Sequence, residues 1–161
     1  MIPTINYVAG ITFSNTSTKV MLIRKSRPEW MKGKLNGIGG HIEPNESPLE
    51  AMRREFTEET KLVSPYWTPF AVLTGIGLTS KVSTAPNKPQ QPWLVHWFTA
   101  IIPNHTDYMP EGTTDEPVSW FNLEDIHHYP IMPNLLWLIH MALERISNAN
   151  VVHRYQINEE Y

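Results

Sequence analysis

The sequence contains no cysteine among its 161 residues. That absence excludes a disulfide framework, a thiolate metal site and a thiol nucleophile; stability has to come from an apolar core, a chemistry compatible with a reducing cytoplasm. Also missing is any apolar run of roughly eighteen residues or more, and the opening MIPTINYVAG lacks the basic-then-apolar layout of a secretion signal. A soluble, cytoplasmic chain without a membrane partner is the expectation. Positive charge is not in excess either, since 13 Lys and Arg against 16 Asp and Glu leave a formal net charge of -3. Such a balance gives no general attraction to a nucleic-acid backbone. No internal repeat or low-complexity block is visible. The length is that of one ordinary domain, so a single domain over 1–161 is expected.

What the sequence does have is local. Lys19, Arg24, Lys25, Arg27, Lys32 and Lys34 crowd one segment in which Glu29 is the only acid. A solvated basic edge and a seat for a compact anion such as a polyphosphate both fit that cluster. YVAGITF and VMLIRK are rich in β-branched and apolar residues and flank the turn-like SNTST, which predicts a hairpin. AVLTGIGLT and WLVHWFTAII read as strands separated by SKVSTAPNKPQQP, whose prolines and polar residues suit an exposed loop. VSWF reads as a short strand. In PNLLWLIHMALERI, Leu135, Leu138, Ile139, Ala142, Leu143 and Ile146 recur with helical spacing and predict a core-facing helix. VVHRYQI is read as an edge strand. Helices and strands mixed in this order point to an α/β sandwich.

The densest signal is GGHIEPNESPLEAMRREFTEETKL, residues 39 to 62, with Glu43, Glu46, Glu50, Glu55, Glu58 and Glu59. Ser47 with Glu50 forms a capping box and Pro48 falls at the first helical position, so a helix starts near Ser47. At about 100° per residue, Glu55, Glu58 and Glu59 share roughly a third of the helix circumference, beside the apolar face of Leu49, Met52 and Phe56. Like charges at this spacing weaken a helix by a few tenths of a kcal/mol per pair, and more when desolvated. Arg54 offsets part of the charge; a hard divalent cation with oxygen ligands offsets more.

This stretch resembles the Nudix box, G-x5-E-x7-R-E-U-x-E-E-x-G-U with U a bulky aliphatic residue. Gly40, Glu46, Arg54, Glu55, Phe56, Glu58, Glu59 and Leu62 occupy its positions. Lys61 stands where the family has glycine, a departure expected to strain the helix end by about 1 kcal/mol without removing a metal ligand. The resemblance implies an α/β/α sandwich around a mixed sheet. It implies Mg2+ or Mn2+ held by Glu55, Glu58 and Glu59 with the Gly39 carbonyl, and Arg54 orienting the carboxylates. A later acid often joins them, here Glu116, with Asp115 and Glu111 as substitutes. The implied reaction is in-line attack of an activated water on a phosphorus of a nucleotide diphosphate linkage, catalysed by Glu59, Glu58 and Arg54, with Glu59 or another carboxylate of the cluster taking the proton.

GKLNGIGGHIE is also similar to the WNGxGGK stretch of Nudix enzymes that clear oxidised or modified purine nucleoside triphosphates. By that likeness Asn36 faces the base, while Met132 and Asn134 of MPNL stand where those enzymes have a stacking tryptophan and an aspartate. Arg24 is placed among the substrate contacts. Turn or cap roles suit Asn36 and Asn134 equally well. Trp67, Trp93, Trp97, Trp120 and Trp137 can stack on a base, though core packing is the common role of such tryptophans. His127 and His128 form no spaced metal motif, and surface or structural roles suit them better. The implied partner is a nucleotide, most simply a (d)NTP cleaved to monophosphate and pyrophosphate. ADP-ribose, dinucleoside polyphosphates and capped or triphosphate RNA ends stay open, as do oligomeric state and a non-catalytic nucleotide-binding module, for which Lys61 would be a sign of decay.

Overall fold

The computed structural model describes residues 4–76, 91–103, 108–111 and 115–148, and the backbone of 158–160. Strands β1 (Ile5–Ser14) and β2 (Lys19–Arg24) form the expected antiparallel hairpin, with Thr12 opposite Met21 and Phe13 opposite Val20. They are followed by β3 (Leu35–Asn36), α1 (Pro48–Thr60), β4 (Thr68–Ile76), β5 (Pro92–Ile102), β6 (Val118–Asn122), α2 (Leu135–Ser147) and β7 (Asn158–Glu160). Single 3-10 segments cover Glu29–Met31 and Leu123–His128. The strand order is β3-β2-β1-β5-β4-β7, with β6 on β2. β1 and β5 run parallel, as do β4 and β7, and the remaining pairs are antiparallel, so the sheet is mixed. Residues 77–90, which hold the end of AVLTGIGLT and most of the proline-rich loop, and the edge strand expected over 151–157 lie outside the described residues.

Both faces of this sheet are buried, and the alternation along β2 shows why. Val20 and Leu22 enter one core with Ile11 and Phe13 of β1 and Leu135, Leu138, Ile139 and Ala142 of α2. Met21 and Ile23 enter the other with Val8, Phe98, Ala100 and Ile102 and with Ala51, Met52 and Phe56 of α1. Successive residues of a strand point to opposite faces, so a continuous apolar run is what a strand covered on both sides requires. The result is an α/β/α sandwich. Among the described residues, no helix is long and apolar enough to cross a membrane.

Helix α1 begins as its sequence requires. The Ser47 hydroxyl accepts the Glu50 N–H, the Glu50 carboxylate accepts the Ser47 N–H at 2.9 Å, and Pro48 opens the first turn. It ends at Lys61 in the left-handed conformation, φ 61° and ψ 13°, where a β-carbon is unfavourable. The Lys61 ammonium donates to the Glu58 carbonyl at 2.7 Å and recovers part of that cost. Lys61→Gly is expected to stabilise the fold by about 0.5–1 kcal/mol, a rise in Tm of about 1–4 °C, with activity unchanged. Thermal denaturation checks this; a lower Tm would mean that the lysine's hydrogen bond outweighs the backbone strain.

Candidate active site

The acidic stripe of α1 meets a backbone loop that rests on the centre of the sheet. Residues 38–40 run along β1: Val8 N–H donates to Gly40 O at 2.9 Å, and Gly10 and Ile38 exchange N–H to carbonyl bonds at 2.7 and 3.1 Å. A β-carbon at Gly39 would collide with the Val8 carbonyl, and one at Gly40 would lie 2.5 Å from Glu55 Oε1. At Gly39 the obstacle is backbone, so only glycine fits there, whereas a side chain at Gly40 would displace the Glu55 carboxylate. Gly39 N–H then donates to Glu59 Oε2 at 3.1 Å.

Arg54 ties the carboxylates into one unit. Its Nε and Nη2 donate to the two oxygens of Glu46 at 2.8 and 2.9 Å, Nη1 donates to Glu55 at 2.8 Å and Glu58 at 3.2 Å, and Nη2 also reaches the His41 carbonyl at 3.0 Å. The bond from Arg54, helped by the Glu43 N–H, holds the Glu46 carboxyl below its ordinary range. Glu55 is largely covered, whereas Glu58 is exposed. Glu59 is partly buried, and burial is the main reason its pKa rises to about 7. Lys25 pulls it down, Glu55 pushes it up, the Gly39 N–H pulls it down and Glu116 pushes it up. The covered Glu59 carboxyl therefore sits within electrostatic reach of both Lys25 and the acids Glu55 and Glu116.

Lys25 and Glu116 close this acidic wall, and strand register places them. In the β2–β6 pair Met21 faces Trp120 and Ile23 faces Val118. One further step of the same register brings Lys25 opposite Glu116, on the α1 face. The Lys25 ammonium donates to Glu116 Oε2 at 2.6 Å, and the N–H and hydroxyl of Ser26 donate to Oε1 at 2.9 and 3.2 Å. Burial pushes the Glu116 carboxyl up, but the lysine and the Ser26 N–H outweigh it and leave the group below its ordinary range. Asp115 lies on the surface, 4.0 Å from Arg27, and Glu111 N–H bonds the Thr60 carbonyl at the end of α1.

The expected substrate contacts fall at the β3 end of the sheet. Leu35 bridges to Ile131, and Met132 N–H donates to the Leu35 carbonyl at 3.0 Å, which brings Asn36 near the 131–134 segment. The Asn36 side-chain oxygen accepts the Gly37 N–H at 2.9 Å, the local turn role weighed for it. Asn134 precedes α2 without making a side-chain cap, and its Oδ1 is buried without a hydrogen-bond partner among the described residues. Met132 is buried in the α2-side core. Arg24 donates to the Gly33 carbonyl at 2.9 Å, pinning the loop after β2. Lys25 was not singled out from its basic neighbours, yet the alternation of VMLIRK carries the signal: Met21, Ile23 and Lys25 share the α1 face, and Arg24 belongs to the other.

Among the tryptophans, Trp67 and Trp97 are core residues, Trp67 packing edge-on to Phe56 at 5.4 Å. Trp120 Nε1 donates to the Tyr108 carbonyl at 2.8 Å. Trp137 and Trp93 are partly buried against the α2-side core. His127 and His128 are exposed, their ring centroids 3.9 Å apart.

The donor set around Glu59 consists of carboxylate and backbone oxygens, the chemistry a hard divalent cation takes. Among the described residues, no three His, Asp or Glu side chains are drawn together at ligating distance. The fit therefore rests on the donor chemistry and on the glycine loop that leaves Glu55 its room.

A family model described as NUDIX domain matches residues 4–138. No match is found among curated proteins. Solved structures share the fold. A MutT protein from Bacillus halodurans is 17% identical with TM-score 0.67, covering 96% of this chain and 89% of that one. The NUDIX domain of Shewanella oneidensis NrtR, solved with ADP ribose, is 21% identical with TM-score 0.68, covering 91% and 90%. A mutT/nudix family protein from Listeria innocua is 22% identical with TM-score 0.64, covering 92% and 98%. With the family model spanning most of the chain and the box residues gathered between α1 and the glycine loop, this protein belongs to the Nudix family.

Proposed function

We propose that the protein is a metal-dependent pyrophosphohydrolase that cleaves a diphosphate linkage in a nucleotide, a (d)NTP to its monophosphate and pyrophosphate. The carrying observation is the geometry of the box: Arg54 holds Glu55 and Glu58 at 2.8 and 3.2 Å, and the Gly39 N–H meets the covered Glu59 carboxylate at 3.1 Å. Carboxylates carried on one helix beside a glycine loop offer the hard oxygen donors a divalent cation takes. Glu55, Glu58 and Glu59, with the Gly39 carbonyl, are the residues that would hold Mg2+ or Mn2+. When bound, such an ion neutralises phosphate oxygens and lowers the pKa of the attacking water. Arg54 keeps Glu55 and Glu58 in place through its fork of donors. Water forms a new P–O bond, the bridging P–O bond breaks in line, and a carboxylate of the cluster, Glu59 first among them, takes the proton.

For the base, Asn36 and the buried, unpartnered Asn134 Oδ1 support recognition by amide groups, and the core-buried Met132 backs the segment that carries Asn134. Purine over pyrimidine triphosphates is the expected order. ADP-ribose is the second reading, supported by the ADP ribose bound to the fold-sharing NrtR domain. Steady-state kinetics with dGTP, dATP, dCTP, dTTP and ADP-ribose, in Mg2+ and in Mn2+, separate these readings. Asn36→Ala is expected to raise KM more than it lowers kcat, because a base contact made equally in ground and transition states is uniform binding. Equal efficiency on all four triphosphates, unaltered by the substitution, would remove Asn36 from the pocket.

A further inference from the structure

The Lys25–Glu116 pair carries a second consequence for the same site, and it rests on the function just proposed. Glu116 is the later-loop acid expected to join the box glutamates around a metal ion. Its two oxygens already accept at least three donors, Lys25 on one and the N–H and hydroxyl of Ser26 on the other. The pair is well covered, with side-chain exposures of 17% for Lys25 and 10% for Glu116. It is also built rather than incidental, because the Arg24 N–H to Pro117 O bond of 2.9 Å carries the β2–β6 register one residue beyond Ile23 and Val118, and the pair follows directly on it. A covered carboxylate whose charge is met by an ammonium and whose oxygens accept two further donors has less affinity left for a second cation.

We propose that Lys25 is a built-in cation of the acidic centre, which holds Glu116 out of the metal's ligand set and leaves metal binding to the α1 glutamates and the glycine loop. Lys25 is then a positioning residue: it fixes Glu116 and tunes the net charge that a divalent ion meets. The pair contributes no net charge of its own, so removing both members at once leaves the metal's seat intact. Removing the lysine alone exposes a competent carboxylate beside Glu59.

The test is calorimetric titration of Mn2+ into chelator-stripped, nucleotide-free wild type, Lys25→Met and the double variant Lys25→Met with Glu116→Gln, with circular dichroism to verify folding. Lys25→Met is expected to bind Mn2+ about tenfold or more tightly, since a repelling charge is lost and a carboxylate is freed. The double variant is expected to stay within about threefold of wild type. A purely structural ion pair would lower the melting temperature of Lys25→Met without tightening Mn2+ binding, and that result would overturn the proposal. So would a tenfold weakening in the double variant, which would make Glu116 a ligand; this arm decides the matter even if Lys25→Met alone fails to fold. Wild type that takes up no Mn2+ would overturn the proposed function and this inference together, whereas binding by wild type that is lost in the double variant overturns this inference alone.

Discussion

Glu59→Gln is expected to lower turnover by a factor on the order of 100 or more while stabilising the metal-free protein at neutral and alkaline pH. The two effects have one cause. Glutamine keeps the shape of the side chain and its acceptor for the Gly39 N–H, but it removes the charge that a divalent ion needs and the carboxylate proposed to receive the proton. In the absence of a divalent ion that same charge is a burden. Burial and the neighbouring Glu55 and Glu116 raise the Glu59 pKa from its ordinary 4.5 to about 7. Between those values the folded state holds a proton that the unfolded state has released, so stability falls as pH rises through this window, by about 2–3 kcal/mol in all. With chelator present, wild type is expected to lose that increment between pH 4.5 and 8, and Glu59→Gln to keep it. Urea denaturation at pH 5 and pH 8 reads the difference; a variant less stable than wild type at pH 8 would contradict the cost assigned to burying the Glu59 charge.

Replacing Arg54 is expected to have the second largest effect. Its guanidinium bonds both oxygens of Glu46 and one oxygen each of Glu55 and Glu58, and it holds the loop through the His41 carbonyl. Arg54→Met leaves these carboxylates facing one another with no cation between them. The expected results are a Tm lower by several degrees and a drop in kcat/KM of about 100-fold. Arg54→Lys should recover little of either, because one ammonium cannot reproduce a planar fork that meets Glu46 with two donors and still reaches Glu55. Near-wild-type activity in Arg54→Lys would show that bulk charge, rather than this geometry, organises the cluster.

Helix α1 was legible in the sequence because its signals are local: the Ser47–Glu50 capping box, Pro48 in the first turn and the Glu55, Glu58, Glu59 spacing all act within a few residues. The β1–β2 hairpin and the apolar face of α2 were legible for the same reason. The parallel pairing of β1 with β5 was not, since residues 97–100 are buried on both faces and a largely apolar run does not name its partner strand. The role of Lys25 was hidden differently. The alternation of VMLIRK separates Lys25 from Arg24, but only the pairing of β2 with β6 shows that Lys25 meets Glu116 while Arg24 turns to Gly33. Asn36 and Met132 are far apart in sequence and become neighbours through the Leu35 to Ile131 bridge, a long-range contact that no window of sequence contains.

The most direct test of the proposed chemistry is phosphorus NMR of a nucleoside triphosphate incubated with wild type or Glu59→Gln, each with Mg2+ and with excess chelator. Monophosphate and pyrophosphate are expected only from wild type with Mg2+. Equal product from Glu59→Gln, or from wild type in chelator, would contradict a metal-dependent hydrolase centred on the α1 glutamates.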